Sequence, residues 1–340
     1  MHFKTGIEPY TLNFKNPAGT SRGVYRTHKV WYIRIYSDED SRQMGIGECA
    51  PLPLLSCDDF HNYEELLQKA CSDFEATGII DYKALRPYPS ILFGLETALK
   101  HFERGSYALW DTLFSRGDKG IPINGLIWMG EYKEMEEQIK EKIDLGFKCI
   151  KLKIGAINFE EELDLLKHIR QHFSSDDITL RVDANGAFLP DDALYKLKCL
   201  AKLNIHSIEQ PIKAGQWEKM AQLTSITPIP IALDEELIGC NMYEDKRRML
   251  QCIKPQYIIL KPSLAGGFKG CEEWIRIARD LKIGWWITSA LESNIGLNAI
   301  AQWCATLNNP LHHGLGTGML YTNNVKVPLY IEGEHLFFRP

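Results

Sequence analysis

Apolar positions along the chain change their spacing near residue 120. Before it, VWYIRIY (30–36) is rich in β-branched and aromatic residues and predicts a strand, one of several antiparallel strands over 1–36. KNPAGTSRG (15–23) has loop chemistry, and a second loop is expected over GIGECAPLPLLS (45–56), with its two glycines and two prolines. Helical spacing follows at Phe60, Tyr63, Leu66, Leu67 and Ala70, and again at Leu92, Leu95, Leu99 and Phe102. Strands followed by helices predict a small α+β domain over 1–119.

From Ile121 onward, strand-like runs alternate with amphipathic segments. The runs are IPINGLIW (121–128), CIKLKI (149–154), ITLRVDAN (178–185), IHSIEQPI (205–212), PIALDEEL (230–237), YIILKPS (257–263), IGWWITSAL (283–291) and a weaker HHGLGT (312–317). Segments such as 158–173 and 268–282 carry charge on one face and Leu, Ile or Trp on the other. Strands begin roughly every 25–30 residues, the length of a βα unit. Eight such units over 120–317 predict an α/β chain with a (β/α)8 TIM-type barrel. An open doubly wound sheet is the alternative, but no GxGxxG or GxxxxGK[ST] follows any run. The last strand-like stretch, LYIEGEHLFF (329–338), is expected to return to the N-terminal domain, so that 318–340 completes it.

Composition narrows the class. The chain has 340 residues, 45% hydrophobic and 24% charged, and a formal net charge of −5. Slight acidity provides no electrostatic footprint for nucleic acid or an anionic membrane. No apolar run approaches the roughly 18 residues of a spanning helix, and MHFKTGIEPYTLNF does not have the pattern of a secretory signal. Nine cysteines without a CxxC pair fit a reduced cytoplasmic protein, with cysteines as small apolar fillers and no zinc site. Trp285 and Trp286 are expected in the core. His312 and His313 are expected in a turn or at the surface, because adjacent strand residues face opposite ways.

Charge placement supplies the candidate chemistry. Lys151 and Lys153 share one face of a strand. Taken alone they fit a strand with one wet face. However, the next four strands also carry charge near their C-terminal ends: Arg181 and Asp183, Glu209, Asp234 to Glu236, and Lys261, spaced 25 to 30 residues apart. Active sites of this fold lie at that end, and stray surface charge does not explain five strands in succession. Asp183, Glu209 and Asp234 would converge from adjacent strands and repel unless a hard cation neutralises them. Their oxygen chemistry suits Mg²⁺, with Mn²⁺ able to substitute. A metal between opposed lysines suits removal of a proton α to a carboxylate.

These residues resemble the enolase superfamily, in its muconate-lactonising-like branch. The shared pieces are Lys151-Leu152-Lys153, Asp183-Ala184-Asn185, Glu209-Gln210-Pro211, Asp234-Glu235 and Lys261-Pro262. The pairing of a Lys base with Mg²⁺ in this superfamily is a known pattern. The resemblance implies a capping domain on a modified, (β/α)7β barrel. It implies Lys153 as the base, Lys261 opposite it as a cation, and Lys151 beneath Lys153. Asp183, Glu209 and Asp234 would be metal ligands, supported from behind by Asn185 and Glu235.

GIGECAPLP with Leu54-Leu55-Ser56, Arg181, ITSALESNIG (287–296) and HGLGTG (313–318) point to a member that dehydrates a cyclic carboxylate bearing a succinyl tail. Arg181 would then be a substrate contact, and Ser289 and the backbone of Gly314 would meet the tail. A racemase or epimerase of N-acylamino acids or dipeptides, and a muconate cycloisomerase, use the same core. A non-catalytic binding protein on the same barrel is a further alternative. Arg22 is either a solvated loop charge or a lid contact to the anionic substrate. The implied partner is a small-molecule carboxylate, and a homo-oligomer is compatible with the chain. Leu54 stands where the family commonly has Gly, and Gly316 where Asp is common.

Overall fold

The computed structural model describes residues 2–20, 23–37 and 43–340. Arg22 lies outside them. Strands β1 (Phe3–Thr20) and β2 (Gly23–Ser37) form a long antiparallel hairpin whose register shifts between Asn13 and Ala18. The loop expected over 15–23 is therefore a bulge inside a strand: residues 14–17, including Pro17 with no N–H to donate, fall out of the ladder, and pairing resumes to Thr20. Strand β3 (Met44–Cys49) pairs with β2, so the first half of the second expected loop is also a strand. Its glycines serve close approach rather than turning. A Cβ on Gly45 would lie 2.1 Å from the Ala98 carbonyl oxygen, and one on Gly47 2.0 Å from that of Gly94. Both carbonyls belong to helix α2 (Pro89–Arg104), which packs on the sheet beside α1 (Tyr63–Thr77).

After β4 (Ile121–Pro122) comes a parallel sheet of seven short strands. These are β5 (Gly125–Ile127), β6 (Cys149–Lys153), β7 (Thr179–Asp183), β8 (Ser207–Glu209), β9 (Ile231–Leu233), β10 (Tyr257–Leu260) and β11 (Gly284–Ile287), hydrogen-bonded in chain order. The helices between them carry the predicted stripes; Leu163, Leu166 and Ile169 of the helix Phe159–His172 are buried, for example. The eighth run closes the barrel by single bridges, His313 to Ile123 and Gly314 to Thr288.

The two tryptophans are core residues on opposite sides of β11. Trp286 lies with Ala232 and Ile259, and Trp285 in the main core cluster. His313 departs from expectation, being only 1% exposed. Its Nδ1 accepts from the Ile287 N–H at 3.0 Å, and burial pushes its pKa down to about 4.

LYIEGEHLFF also departs from expectation. Its two strands, Leu329–Glu332 and His335–Phe338, form a hairpin that pairs with β4 rather than with the N-terminal strands. Residues just before it make the return instead: the Leu320 carbonyl accepts from the Lys15 N–H, and the Thr322 N–H donates to Asn13.

Buried carboxylates fasten the N-terminal unit to barrel helices. Glu96 accepts from the N–H groups of Phe268 (2.6 Å) and Lys269 (3.1 Å), at the start of the helix Gly267–Asp280. Glu48 accepts from the Ser293 and Gly296 N–H groups, at the start of the helix Asn294–Thr306. Helix N-termini present unsatisfied N–H groups that a carboxyl oxygen can accept from, which explains the placement. Among the described residues no helix is long and apolar enough to cross a membrane.

Candidate active site

Parallel register brings Lys153, Asp183 and Glu209 to one level at the C-terminal ends of three adjacent strands. Asp234 and Lys261 lie just past the ends of the next two. At the ends of β7 and β8, Asn185 and Gln210 take left-handed φ values of 44° and 39°. The Asn185 N–H donates back to its neighbour Asp183 at 3.0 Å. The Gln210 amide oxygen accepts from the N–H groups of Asp234 (3.2 Å) and Glu236 (3.3 Å), fixing where Asp234 sits.

The three lysines have different surroundings. Lys151 Nζ lies 2.9 Å from Asp183 and 2.7 Å from Glu209. Burial alone would lower its pKa, but the two carboxylates outweigh that and raise it. Lys261 donates to Asp234, and it too is held above the usual lysine range against the effect of burial, by Asp234 and then Glu209. Among the described residues, Lys153 has no carboxylate partner. Its Nζ donates to the Asn185 side-chain oxygen at 3.3 Å and stands 5.3 Å from the ring centre of Trp128. Burial pushes its pKa down, and the charges of Lys151 and Lys261 act the same way while Asp183 opposes them. Of the three buried lysines, the surroundings of Lys153 disfavour its charge, whereas those of Lys151 and Lys261 favour it.

The acids complete the pattern. Burial pushes Asp183 up, yet Lys151 and Lys153 outweigh it and hold that carboxyl at about 2. Glu209 is raised by burial and by Asp183 beside it. Glu235, bonded to Asn185 at 2.9 Å, is pushed up to about 7 by burial and then by Asp234 and Asp183.

Among the described residues no three acid, His or Cys side chains converge closely enough to hold a metal as they stand; Lys151 Nζ lies between Asp183 and Glu209, and Lys261 Nζ beside Asp234. The donor set nevertheless fits a hard divalent cation. It is all oxygen, and Glu209 Oε1 and Glu235 Oε2 are buried without a hydrogen-bond partner among the described residues.

Two expected substrate contacts, Arg181 and the Gly314 backbone, have partners within the barrel. Arg181 pairs with Lys151 and Ser207, one layer below Lys153 in the barrel. It is 2% exposed, its guanidinium lies 4.0 Å from the Trp286 ring centre, and Nη1 donates to the His312 carbonyl at 2.8 Å. It plugs the barrel interior. The Gly314 N–H donates to Ile287 and its carbonyl accepts from the Ser289 N–H, so barrel closure engages both groups expected to meet a tail. Ser289 is at the strand end as expected, with its hydroxyl 2.7 Å from that of Thr317.

The two departures from family habit have different consequences. Leu54 has φ 63°, a left-handed value that explains a preference for Gly there, and its side chain is 77% exposed. A Cβ on Gly316 would meet nothing closer than 3.6 Å, so glycine is not sterically required.

Sequence reading missed the apolar roof. Leu52 from the N-terminal unit packs with Leu264, Ala290 and Leu291 from the barrel's strand-end loops, and Leu55, Tyr25, Trp128 and Ile238 join them. Only the GIGECAPLPLLS loop hinted at it. Also missed was Glu292, fully buried, which accepts from the Ser263 hydroxyl and from the Ala290 N–H and so ties the loops after β10 and β11 together.

Comparison with known proteins agrees with this geometry. The profile of the family described as enolase C-terminal domain-like matches residues 134–336. An o-succinylbenzoate synthase of Desulfotalea psychrophila is 44% identical, the alignment covering 95% of each chain. The crystal structure of MenC from that organism superposes with a TM-score of 0.84 at 39% identity, covering 99% of this chain and 100% of that one. The L-Ala-D/L-Glu epimerase of Bacillus subtilis superposes equally well, with a TM-score of 0.84 over 99% of this chain and 96% of that one. At 19% identity it shares the fold alone.

Proposed function

The chain belongs to the enolase superfamily, and we propose that within it this protein is an o-succinylbenzoate synthase. It is a hydro-lyase that converts 2-succinyl-6-hydroxy-2,4-cyclohexadiene-1-carboxylate to 2-succinylbenzoate and water, a step of menaquinone biosynthesis in the cytoplasm. The observation that carries the mechanism is that, among the described residues, Lys153 alone of the three site lysines lacks a carboxylate partner.

Enzymes of this superfamily depend on a divalent metal, and the oxygen donors here suit Mg²⁺, with Mn²⁺ as a substitute. Asp183, Glu209 and Asp234 would hold the ion, which would stabilise negative charge building on the substrate carboxylate. Lys153 takes the proton from the ring carbon that bears the carboxylate. The electron pair left behind forms the new ring double bond as the C6–O bond breaks. Lys153, now an ammonium, returns its proton to the departing hydroxide on the same face, giving water and an aromatic ring. Lys261 stays cationic beside Asp234 and faces the developing charge. Lys151 holds Asp183 and Glu209 in place from below. Ser289 is assigned to the succinyl end, on the strength of its place at the end of β11. The unit 1–119 acts as the cap, supported by Leu52 and Leu55 in the roof.

Purified protein with Mg²⁺ should convert the cyclohexadiene to product, followed by ultraviolet absorbance. Proton exchange on dipeptides with no dehydration would overturn the assignment.

A further inference from the structure

Lys151 and Lys261 are oriented by ion pairs, which also keep them protonated. A base cannot be fixed that way, because a carboxylate partner holds the lysine protonated and leaves it no lone pair to accept a proton. The groups around Lys153 Nζ solve this: the neutral Asn185 amide lies on one side and the face of Trp128 on another. An aromatic face attracts an ammonium without supplying a full negative charge.

Trp128 is itself held. It follows the last residue of β5, and one side chain of the next helix (Tyr132–Asp144) grips its backbone at two points. The Trp128 N–H donates to the Gln138 Oε1 at 2.8 Å, and Gln138 Nε2 donates to the Trp128 carbonyl at 3.3 Å. The carboxamide thus stands in for a neighbouring strand, which orients the residue beyond the strand's end. Packing against the roof cluster restrains the indole as well.

We propose that Trp128 is a positioning residue for the base Lys153, and that Gln138 positions Trp128. The inference rests on the assignment of Lys153 as the base. Trp128→Leu should lower kcat about tenfold, the scale of a lost cation–π contact at a desolvated site, with KM within about twofold. Trp128→Phe keeps an aromatic face and should stay within about threefold of wild type. Gln138→Leu, which touches neither lysine nor substrate, should lower kcat in the same direction and leave KM unchanged.

The inference is overturned if Trp128→Leu keeps its kcat, if Trp128→Phe is as impaired as Trp128→Leu, or if the loss lies in KM. Exchange of the substrate's α-hydrogen with deuterium oxide, measured on the same variants, separates this from the choice of reaction. A wild type that exchanges the proton without dehydrating fails the proposed function, yet the Trp128→Leu exchange rate still tests the positioning role.

Discussion

At the scale of single residues, the site is a set of lysines distinguished by their partners. Lys153→Ala removes the proposed base and should lower turnover by about 10²–10⁴-fold, the usual contribution of a general acid–base group, with folding intact by circular dichroism. Lys151→Met should behave differently. It leaves Asp183 and Glu209 buried side by side without their shared ammonium, and should reduce stability by about 3–5 kcal/mol in urea denaturation, the cost of stripping one partner from a buried pair. Full stability in that variant would mean the carboxylates are neutralised by something else. The placement of these charged residues at one end of the barrel was legible because charge inside a buried strand is expensive and recurred at one interval. Arg181 and Gly314 were not legible in the same way. Spacing places a residue on a face, but it does not say how far down the barrel a long side chain points, or whether a backbone N–H is already bonded.

At the scale of elements, hydrophobic periodicity located nearly every strand and helix, yet misjudged what irregular residues do. Prolines and glycines were expected to make loops. Residues 14–17 instead sit in a bulge, and Gly45 and Gly47 let α2 lie directly on β3. Gly47→Ala should therefore cost about 1–3 kcal/mol by overpacking, read as a lower urea midpoint with an unchanged slope. Neutral behaviour would show that the sheet and helix can separate without cost.

The clamp by Glu96 carries a pH signature. Burial raises its pKa to about 8, outweighing the Phe268 and Lys269 N–H groups that favour the ionised form. A raised carboxyl binds its proton more tightly folded than unfolded. Its contribution is therefore full below the ordinary glutamate pKa and is lost as pH rises through about 8. Glu96→Gln should flatten the fall in stability between pH 5 and pH 8.5; an identical slope in wild type and variant would contradict the assignment.

At the scale of the whole molecule, the N-terminal unit and the barrel meet over the site. Its chemistry comes from the ends of β6 to β10, and its apolar roof from both units. The barrel and its charged end were readable because they repeat. The junction was not, since contacts such as Glu48 with Ser293 join residues 245 positions apart and leave no local pattern. The C-terminal hairpin was misplaced for the same reason: alternation identifies a strand but does not name the edge it joins.

The central claim is that Lys153, freed from ion pairing, is the group that removes the α-proton. The most direct test is dehydration of the cyclohexadiene carboxylate by wild type and Lys153→Ala, side by side with saturating Mg²⁺ and product absorbance as the readout. Wild type should form 2-succinylbenzoate steadily, and the variant should be slower by about 10²–10⁴-fold. Turnover by Lys153→Ala within a few-fold of wild type would contradict the assignment of Lys153 as the base.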